Sequence, residues 1–265
     1  IGFRLGLWPG FGLGVVRRQH VGGEHGQGLA ALLQLDAGDV EICVSGYEAA
    51  VVCVHGSDGS LLWSGGDDPV YVGAPSIADF DGDGSAEVSY GRQIFDAAGN
   101  RLLWGGGGSG YVAMSVPVDW DGDGQLELLG GNTIYRLDGS TLLALSGSDG
   151  MPAIGDFDLD GDPDVVLTGG GLVRLYDNTG SQLWSVSVPG GGTGGPPTVA
   201  DFDGDGLPEV GVAGQAQYTV FDTDGSQLWT RGVSDYSSSV TGSSVFDFEG
   251  DGAAEVVYAD EHTLW

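Results

Sequence analysis

The segment "DFDGDGSAEV" begins at Asp79 and recurs four more times, and this repetition constrains the fold more than any other feature of the chain. The later copies are "DWDGDGQLEL" from Asp119, "DFDLDGDPDV" from Asp156, "DFDGDGLPEV" from Asp201 and "DFEGDGAAEV" from Asp247. Successive copies start 40, 37, 45 and 46 residues apart. A repeat of this length is one supersecondary unit that must stack on its neighbours to bury a core.

The copies have similar flanks. A proline and a short apolar run precede the first four copies, as in "GAPSIA" and "PPTVA". A Val-rich run, a turn, a second apolar run such as "YTVFD" and a glycine turn follow these copies and lead into "SQLW" or an equivalent. Short runs rich in Val, Tyr, Phe and Trp between glycine turns are typical of strands, and no window has a sustained helical period. Each unit therefore predicts four short strands.

Four strands in a unit of about 42 residues are typical of a β-propeller blade. We therefore expect an all-β fold, a β-propeller of about six or seven four-stranded blades that forms a single domain over residues 1–265. Residues 36–265 would hold six repeats with the last one incomplete. Residues 1–35 would supply a ring-closing strand or part of a further blade. The chain starts at Ile1 without a visible leader, which predicts a mature or excised segment.

Tryptophan and glycine recur at fixed places in the units. We expect Trp63, Trp104, Trp184 and Trp229 to fill interfaces between blades rather than to stack on a ligand. The glycine runs at 105–110 and 190–195 lie between a Trp-ending strand and the next repeat. No helix is expected after them, so they are interpreted as flexible loops between blades and not as phosphate-binding loops.

Composition excludes several classes of function. The chain carries 8 basic and 38 acidic residues, a formal charge of −30, which disfavours nucleic acid and anionic membrane surfaces. Its hydrophobic content of 41% is enough for a core, and it contains no apolar stretch of membrane-spanning length. The only cysteines, Cys43 and Cys53, flank a polar turn. They form either a disulfide across a hairpin or two small buried thiols.

The acidic segments suit a hard cation. Counted from the first acid, carboxylates stand at positions 1, 3, 5 and 9, and position 7 offers a backbone carbonyl. Two carboxylates about 4 Å apart repel by about 1 kcal/mol in water and about 4 at a protein surface. Ca²⁺ takes six to eight oxygen ligands and would convert this repulsion into attraction. A merely solvated acidic turn is the alternative.

The segments are not EF-hands. An EF-hand requires a Glu at position 12 and helices on both sides. Position 12 is occupied by Tyr90, Gly130, Leu167, Val212 and Tyr258, and the flanks are typical of strands.

The segments "DFDGDGSAE" and "DFDGDGLPE", with "GAP" at Gly73–Pro75, resemble the FG-GAP/VCBS repeat family. This family includes integrin α-chain propellers and many bacterial surface and secreted proteins. The resemblance covers about residues 36–265 and implies a propeller with about four to five Ca²⁺ ions in strand-connecting loops. An incomplete copy of the segment, "QLDAGDVEICV", begins near Asp36. It lacks the four acids that the other copies carry, so no metal is expected there.

By position, the resemblance implies five ligand sets, each with four acidic side chains and the backbone carbonyl of position 7. The first three are Asp79, Asp81, Asp83, Ser85 and Glu87; Asp119, Asp121, Asp123, Gln125 and Glu127; and Asp156, Asp158, Asp160, Asp162 and Asp164. The other two are Asp201, Asp203, Asp205, Leu207 and Glu209; and Asp247, Glu249, Asp251, Ala253 and Glu255. Glu249 is one methylene longer than the usual Asp, which predicts a weaker or distorted site.

No catalytic constellation is visible. The histidines His20, His25, His55 and His262 are scattered, neither cysteine has an evident histidine partner, and no G-x-S-x-G motif occurs. We therefore expect a non-enzymatic module, secreted or at the cell surface, that serves adhesion, protein–protein interaction or surface assembly. Its ligand would be a protein, a glycan or another copy of the chain.

Two alternatives stay open at this point. A lectin-like module would expose aromatic residues such as Trp8, Trp120 or Tyr236. A secreted polysaccharide-cleaving enzyme would need Arg, His or Lys close to an acid within a cleft.

Overall fold

The computed structural model describes residues 30–33, 41–45, 51–66, 73–108, 114–236 and 241–265, with the backbone alone for 30–33. These ranges contain strands and turns without a helix, as the all-β expectation requires. They therefore hold no helix that is long and apolar enough to cross a membrane. The Asp36 copy, Trp8, His20 and His25 lie outside the described residues.

The strands form six antiparallel sheets in chain order. Sheet 1 contains β1 (Ala30–Leu33), β2 (Glu41–Val44), β3 (Val51–His55) and β4 (Leu61–Gly65). Sheet 2 contains β5 (Ser76–Ala78), β6 (Glu87–Tyr90), β7 (Gln93–Phe95) and β8 (Arg101–Trp104). Sheet 3 contains β9 (Ser115–Val118), β10 (Glu127–Gly130), β11 (Thr133–Tyr135) and β12 (Thr141–Ala144).

The second half of the chain continues the pattern. Sheet 4 contains β13 (Met151–Gly155), β14 (Asp164–Gly169), β15 (Leu172–Tyr176) and β16 (Gln182–Ser187). Sheet 5 contains β17 (Thr198–Ala200), β18 (Glu209–Ala213), β19 (Gln217–Phe221) and β20 (Gln227–Gly232). Sheet 6 contains β21 (Ser244–Phe246) and β22 (Glu255–Val257) within the described residues.

Successive sheets stack on one another as propeller blades do. The first strands β1, β5, β9, β13, β17 and β21 are spatial neighbours in that order. One hydrophobic cluster lies between each sheet and the next, so the core is divided into five layers. The second strands β6, β10, β14 and β18 are buried along their whole length because a neighbouring sheet covers each face. The fold is β-propeller-like, whereas the blade number, the ring closure and the single domain over 1–265 stay predictions.

Two of the recurring tryptophans fill interfaces as predicted. Trp63 and Trp184 occupy equivalent positions in the fourth strands of sheets 1 and 4. Their indole N–H groups donate to carbonyls of the next sheet, to Ala97 at 3.1 Å and to Thr223 at 2.9 Å. Gly99, in a turn of sheet 2, lies directly against the Trp63 ring. A Cβ at Gly99 would be only 2.7 Å from this ring, so the contact requires glycine there. Trp229 has the equivalent position in sheet 5, where it stacks on Tyr218 and stays partly exposed.

The prediction for Trp104 is wrong. Leu103 occupies the position that is equivalent to Trp63, opposite Ile94, and it is buried against sheet 3. Trp104 comes one residue later and is 39% exposed. Because strand side chains alternate between faces, a shift of one residue moves the indole to the opposite face of the sheet.

Several described glycines of the two runs pack closely against neighbouring strands, whereas a Cβ on Gly106 would meet no heavy atom within 4 Å. A Cβ on Gly105 would lie 2.5 Å from the Tyr135 ring, and a Cβ on Gly194 would lie 2.5 Å from Thr168. The Gly107 N–H donates to the Tyr135 hydroxyl at 2.8 Å. The location between blades is as predicted, and glycine is required at these positions because the backbone closely approaches strands of the adjoining sheets.

The two cysteines form a disulfide. Cys43 and Cys53 are directly opposite each other in the β2–β3 pair, and their sulfur atoms are bonded. Both residues are buried at the interface with sheet 2. The bond resolves the alternative that the sequence left open.

Candidate metal centre

Five acidic loops connect the first and second strands of sheets 2 to 6. We name them by their first residue: the Asp79 loop (79–87), the Asp119 loop (119–127), the Asp156 loop (156–164), the Asp201 loop (201–209) and the Asp247 loop (247–255). In each loop the last acid is also the first residue of the second strand. The sheet thus fixes one end of the loop, and the acid at position 9 is held close to the chain that precedes it.

The loops share two hydrogen bonds that shape them. In the Asp79 loop the Gly84 N–H donates to Asp79 Oδ2 at 3.0 Å, and the Phe80 N–H donates to Glu87 Oε2 at 2.8 Å. The equivalent bonds occur in the other four loops. The first bond curls the loop around the acid at position 1. The second brings the acid at position 9 back to position 2, so the two carboxylates converge.

Carboxylate oxygens cluster in every loop. One oxygen from each of three or four acids lies within 4.8 Å of the others. The groups are Asp79, Asp81 and Glu87; Asp119, Asp121 and Glu127; Asp156, Asp158 and Asp164; Asp201, Asp203, Asp205 and Glu209; and Asp247, Asp251 and Glu255. Clusters of this kind can hold a metal ion, and their all-oxygen donor set suits a hard cation.

Four predicted side-chain ligands lie outside these groups: Asp83, Asp123, Asp160 and Glu249. The three aspartates at position 5 accept a hydrogen bond from the N–H of position 7, for example Ser85 N–H to Asp83 Oδ1 at 2.6 Å. The position-7 carbonyls of Ser85, Gln125, Asp162, Leu207 and Ala253 stay predictions as ligands. The Asp79, Asp119 and Asp156 loops each lack one predicted acid in the same way, so a weaker site in the Asp247 loop stays a prediction.

Two buried carboxylate oxygens lack a hydrogen-bond partner within the described part of the chain. They are Asp119 Oδ1 and Glu209 Oε1, at position 1 of one loop and position 9 of another. A buried acceptor without a partner costs free energy, most of all when it is charged. A divalent cation bound in each of these two loops would give the oxygen a partner. The residues present therefore fit the Ca²⁺ ion that the sequence implies.

The acids at position 9 of the Asp79, Asp119, Asp156 and Asp201 loops have raised pKa values. Burial raises the pKa of Glu209 to about 7, and repulsion from Asp203, Asp201 and Asp205 adds to this despite the hydrogen bond from the Phe202 N–H. For the same reasons the pKa of Asp164 is raised to about 6. Burial likewise raises the pKa values of Glu87 and Glu127. The charged form of these acids therefore needs compensation, which a cation supplies.

The loops differ from one another in detail. Leu159 occupies position 4 of the Asp156 loop with a φ of 59°, where the other loops carry glycine. In the Asp119 loop, Asp121 Oδ2 accepts from Arg136 Nη2 at 2.8 Å, an ion pair that the repeat pattern does not indicate. The only feature of the sequence that could have indicated this ion pair is the arginine in the turn before the fourth strand.

The remaining candidate residues have separate locations. Trp120 is 8% exposed and packs in the cluster between sheets 3 and 4, so it is a core residue and not a ligand platform. Tyr236 is 63% exposed. His55 ends β3 and His262 lies near the end of the chain, and neither belongs to an acidic cluster of the described residues.

Comparison with known proteins agrees with this architecture. Residues 156–212 match the model of the FG-GAP-like repeat. The biofilm matrix protein Bap1 of V. cholerae superposes with a TM-score of 0.61 at 26% identity, over 79% of this chain and 40% of that one. A rhamnogalacturonan lyase of Bacillus licheniformis superposes with a TM-score of 0.60 at 23% identity, over 89% of this chain and 44% of that one. A search of curated proteins gives no match.

The matched segment contains the whole Asp156 loop, the whole Asp201 loop and the strands β14 to β17 between them. The chain spans less than half the length of the two solved structures. The same strand–loop–strand unit recurs on both sides of the matched segment, with the same two hydrogen bonds in each loop. The chain therefore contains FG-GAP-like repeat sequence at residues 156–212, and the units on both sides share its strand–loop–strand pattern.

Proposed function

We propose that the five acidic loops bind Ca²⁺ and that the ions stabilise a propeller whose role is binding rather than catalysis. The observation that carries the proposal is the convergence of carboxylate oxygens in all five loops. The acids at positions 1 and 9 belong to every cluster, so the ion would join the start of the loop to the start of the second strand. When bound, Ca²⁺ supplies charge compensation and a cross-link, and no chemical step depends on it.

The size of the effect favours a structural role. Twenty of the 38 acids occupy side-chain ligand positions, and five Ca²⁺ would change the formal charge from −30 to −20. Extracellular modules bind Ca²⁺ with dissociation constants of about 10⁻⁴–10⁻³ M. At tenfold that concentration each site stabilises the fold by about 1.4 kcal/mol, so five sites contribute about 7 kcal/mol. This is comparable with the whole stability of a domain.

The same arithmetic supports an extracellular location. Millimolar calcium is a condition outside cells, and the Cys43–Cys53 disulfide persists in an oxidising compartment. A rigid scaffold with loops at its ends is a common way to present a binding surface. We therefore propose adhesion or surface assembly as the role, with a protein, a glycan or a second copy as the ligand.

A lectin-like role is the second candidate, because exposed aromatic side chains such as Tyr236 offer sugar-stacking surfaces. The resemblance to a rhamnogalacturonan lyase is at 23% identity and concerns the fold alone. A polysaccharide-cleaving activity would need a base close to an acid in a cleft, and the chain has 8 basic residues in all.

The test is an adhesion assay with beads that carry the protein. Beads are applied to surfaces coated with the same protein or with a panel of glycans, in calcium, in EGTA and after calcium is restored. We expect retention that EGTA abolishes and calcium restores, without release of shortened oligosaccharides. Glu209→Gln should raise the calcium concentration required, while Glu261→Gln, the same charge change at an exposed acid outside the loops, should not. Calcium-independent retention would contradict the proposal, and released oligosaccharides would indicate an enzyme.

A further inference from the structure

One of the acidic loops has a cation that the chain itself supplies. In the Asp119 loop, Arg136 Nη2 lies 2.8 Å from Oδ2 of Asp121, the acid at position 3, and both side chains are partly exposed. Asp121 also belongs to the oxygen cluster of this loop, together with Asp119 and Glu127. One carboxylate is thus shared between an arginine and the place that a metal ion would take.

Arg136 departs from the repeat at a turn position. It begins the turn between the third and fourth strands of sheet 3, where its N–H donates to the Ser140 carbonyl and its carbonyl accepts from the Gly139 N–H. The turns of sheets 2, 4 and 5 have the same two backbone bonds, and their first residues are aspartates: Asp96, Asp177 and Asp222. The equivalent position therefore carries a negative charge in three sheets and a positive charge in sheet 3.

The turn does not require an arginine. In sheet 2 the first residue of the turn caps it, because Asp96 Oδ1 accepts from the Asn100 N–H at 2.7 Å. In sheet 3 Asp138 makes such a bond instead, since its Oδ1 accepts from the Ser140 N–H at 2.8 Å. An exposed ion pair also contributes little to the stability of a fold. The main consequence of Arg136 is therefore expected at the acidic loop that it contacts.

Contact between the turn and the loop recurs in sheet 4 with a neutral group. There Asn178 Nδ2 donates to Asp162 Oδ2 at 2.9 Å, and Asp162 is the position at which a backbone carbonyl is the expected ligand. The loop and its turn, residues 96–100, 136–140, 177–181 or 222–226, together carry formal charges of −5, −4, −6 and −6 in sheets 2 to 5. The Asp119 loop thus has the least negative surroundings of the four.

Arg136 does not meet the whole requirement of its loop for positive charge. Asp119 Oδ1 is buried and lacks a hydrogen-bond partner within the described part of the chain, although Arg136 is bound to Asp121. A guanidinium carries one charge and donates N–H groups, whereas Ca²⁺ carries two charges and takes six to eight oxygens. The loop therefore still suits a divalent ion, while Arg136 offsets part of the repulsion at position 3.

We propose that Arg136 sets the calcium affinity of the Asp119 loop, so that this loop fills at a higher calcium concentration than the loops of sheets 2, 4 and 5. The guanidinium repels the arriving ion and occupies one oxygen of Asp121. It also stabilises the calcium-free loop, so the ion gains less when it binds. The propeller then responds to calcium in two steps, with sheet 3 in the second. The inference rests on the proposed calcium binding and adds its regulation.

Tb³⁺ luminescence isolates this loop, because Tb³⁺ also prefers carboxylate oxygens. Trp120 occupies position 2 of the Asp119 loop, whereas the other four loops carry phenylalanine there. Emission sensitised by an indole falls steeply with distance, so the part that Trp120→Phe removes belongs to the Asp119 loop. A Tb³⁺ titration followed by displacement with Ca²⁺ gives the dissociation constants of both ions in this loop.

The variants are Arg136→Gln, which removes the charge, and Arg136→Asp, which restores the residue of the other three turns. Arg231→Gln is the matched control, because Arg231 is an exposed arginine that lies on the Trp265 ring and outside the acidic loops. Melting temperatures in EGTA and in calcium establish that each variant folds. They also provide a second measure of the energy that calcium contributes.

We expect Arg136→Gln to lower the calcium dissociation constant of the Asp119 loop by about tenfold at low ionic strength, and Arg136→Asp to lower it further. The difference should shrink in high salt. Both variants should melt at a lower temperature than the wild type in EGTA and show a larger increase with calcium, whereas Arg231→Gln should match the wild type.

Two kinds of failure can be told apart. Unchanged or weaker calcium binding by the Asp119 loop of Arg136→Gln, with a normal calcium response of the remaining loops, would overturn the role of Arg136 alone. Stronger binding in Arg231→Gln as well would show a general effect of net charge and would overturn it too. A wild type without Trp120-dependent emission and without a calcium-dependent melting temperature would overturn the proposed calcium binding and this inference together.

Discussion

Leu159 shows at the scale of one residue how strictly the loop prescribes its backbone. It is the single non-glycine residue with positive φ among the described residues. Position 4 in the other loops is Gly82, Gly122, Gly204 or Gly250, with φ of 70° to 79°. An L-residue in this region costs about 1–2 kcal/mol because its Cβ crowds the following carbonyl. The Asp156 loop keeps the conformation, so the remaining loop contacts outweigh this cost.

Replacing Leu159 with glycine should therefore increase the free energy of unfolding by about 1 kcal/mol, since it removes the strain. The reverse change, Gly82→Ala, should decrease it by about 1 kcal/mol. A Cβ at Gly82 would have no heavy atom within 4 Å, so the loss would come from backbone strain alone. Urea denaturation at constant calcium measures both. A destabilised Leu159→Gly would show that its exposed side chain, not the strain, dominates.

The limits of sequence reasoning also lie at single residues. The acids at positions 1 and 9 were predictable because the repeat fixes their spacing, and they belong to every oxygen cluster. The location of Trp104 was not predictable from composition, because one additional residue before it reverses the face on which its side chain lies. The hydrogen bond from position 2 to position 9 depends on backbone N–H groups, which a side-chain pattern does not show.

At the scale of the element, the carboxylates of the Asp156 and Asp201 loops repel one another, and protonation relieves this repulsion when no cation is present. The ordinary pKa of 4.5 is raised to about 7 for Glu209, and the value of 3.8 is raised to about 6 for Asp164. The folded, calcium-free protein therefore binds these protons more tightly than the unfolded chain. Their contribution to stability is complete below the unfolded pKa values and is lost as the pH rises through about 6 to 7.

The melting temperature in EGTA should therefore fall between about pH 5 and about pH 8, and the increase produced by calcium should grow over the same range. The pKa of Asp260 is lowered, mainly by the hydrogen bond from the Trp265 N–H. Carboxyls of this kind titrate at more acidic pH and do not affect stability between about pH 5 and about pH 8. Calorimetry at a series of pH values measures the effect. Glu209→Gln should flatten the profile in EGTA, whereas a melting temperature in EGTA that rises across this range would contradict the prediction.

The strand elements themselves were well predicted from the sequence. Glycine turns and Val-rich runs indicated four strands per unit, and four successive units from residue 73 onward have them. The close packing of Gly105, Gly107 and Gly108 on sheet 3 could not be predicted from the sequence. It depends on the Tyr135 ring of another sheet, which only the stacking of the blades brings near.

At the scale of the molecule, the core is a series of layers between sheets rather than one central cluster. Sheets 2 to 6 each have an acidic loop at the end of the first strand, and apolar layers separate the sheets. Repetition made this architecture predictable, because a unit that cannot bury its own faces must stack. Such a molecule can place five like-charged loops on one scaffold, provided that their charge is compensated.

Crystals of the protein grown in calcium and examined by anomalous diffraction test that compensation most directly. We predict anomalous peaks between the carboxylates of positions 1 and 9 in the Asp79, Asp119, Asp156 and Asp201 loops, with a weaker peak in the Asp247 loop. Loops without such peaks, and with their acids turned toward solvent at millimolar calcium, would contradict the account.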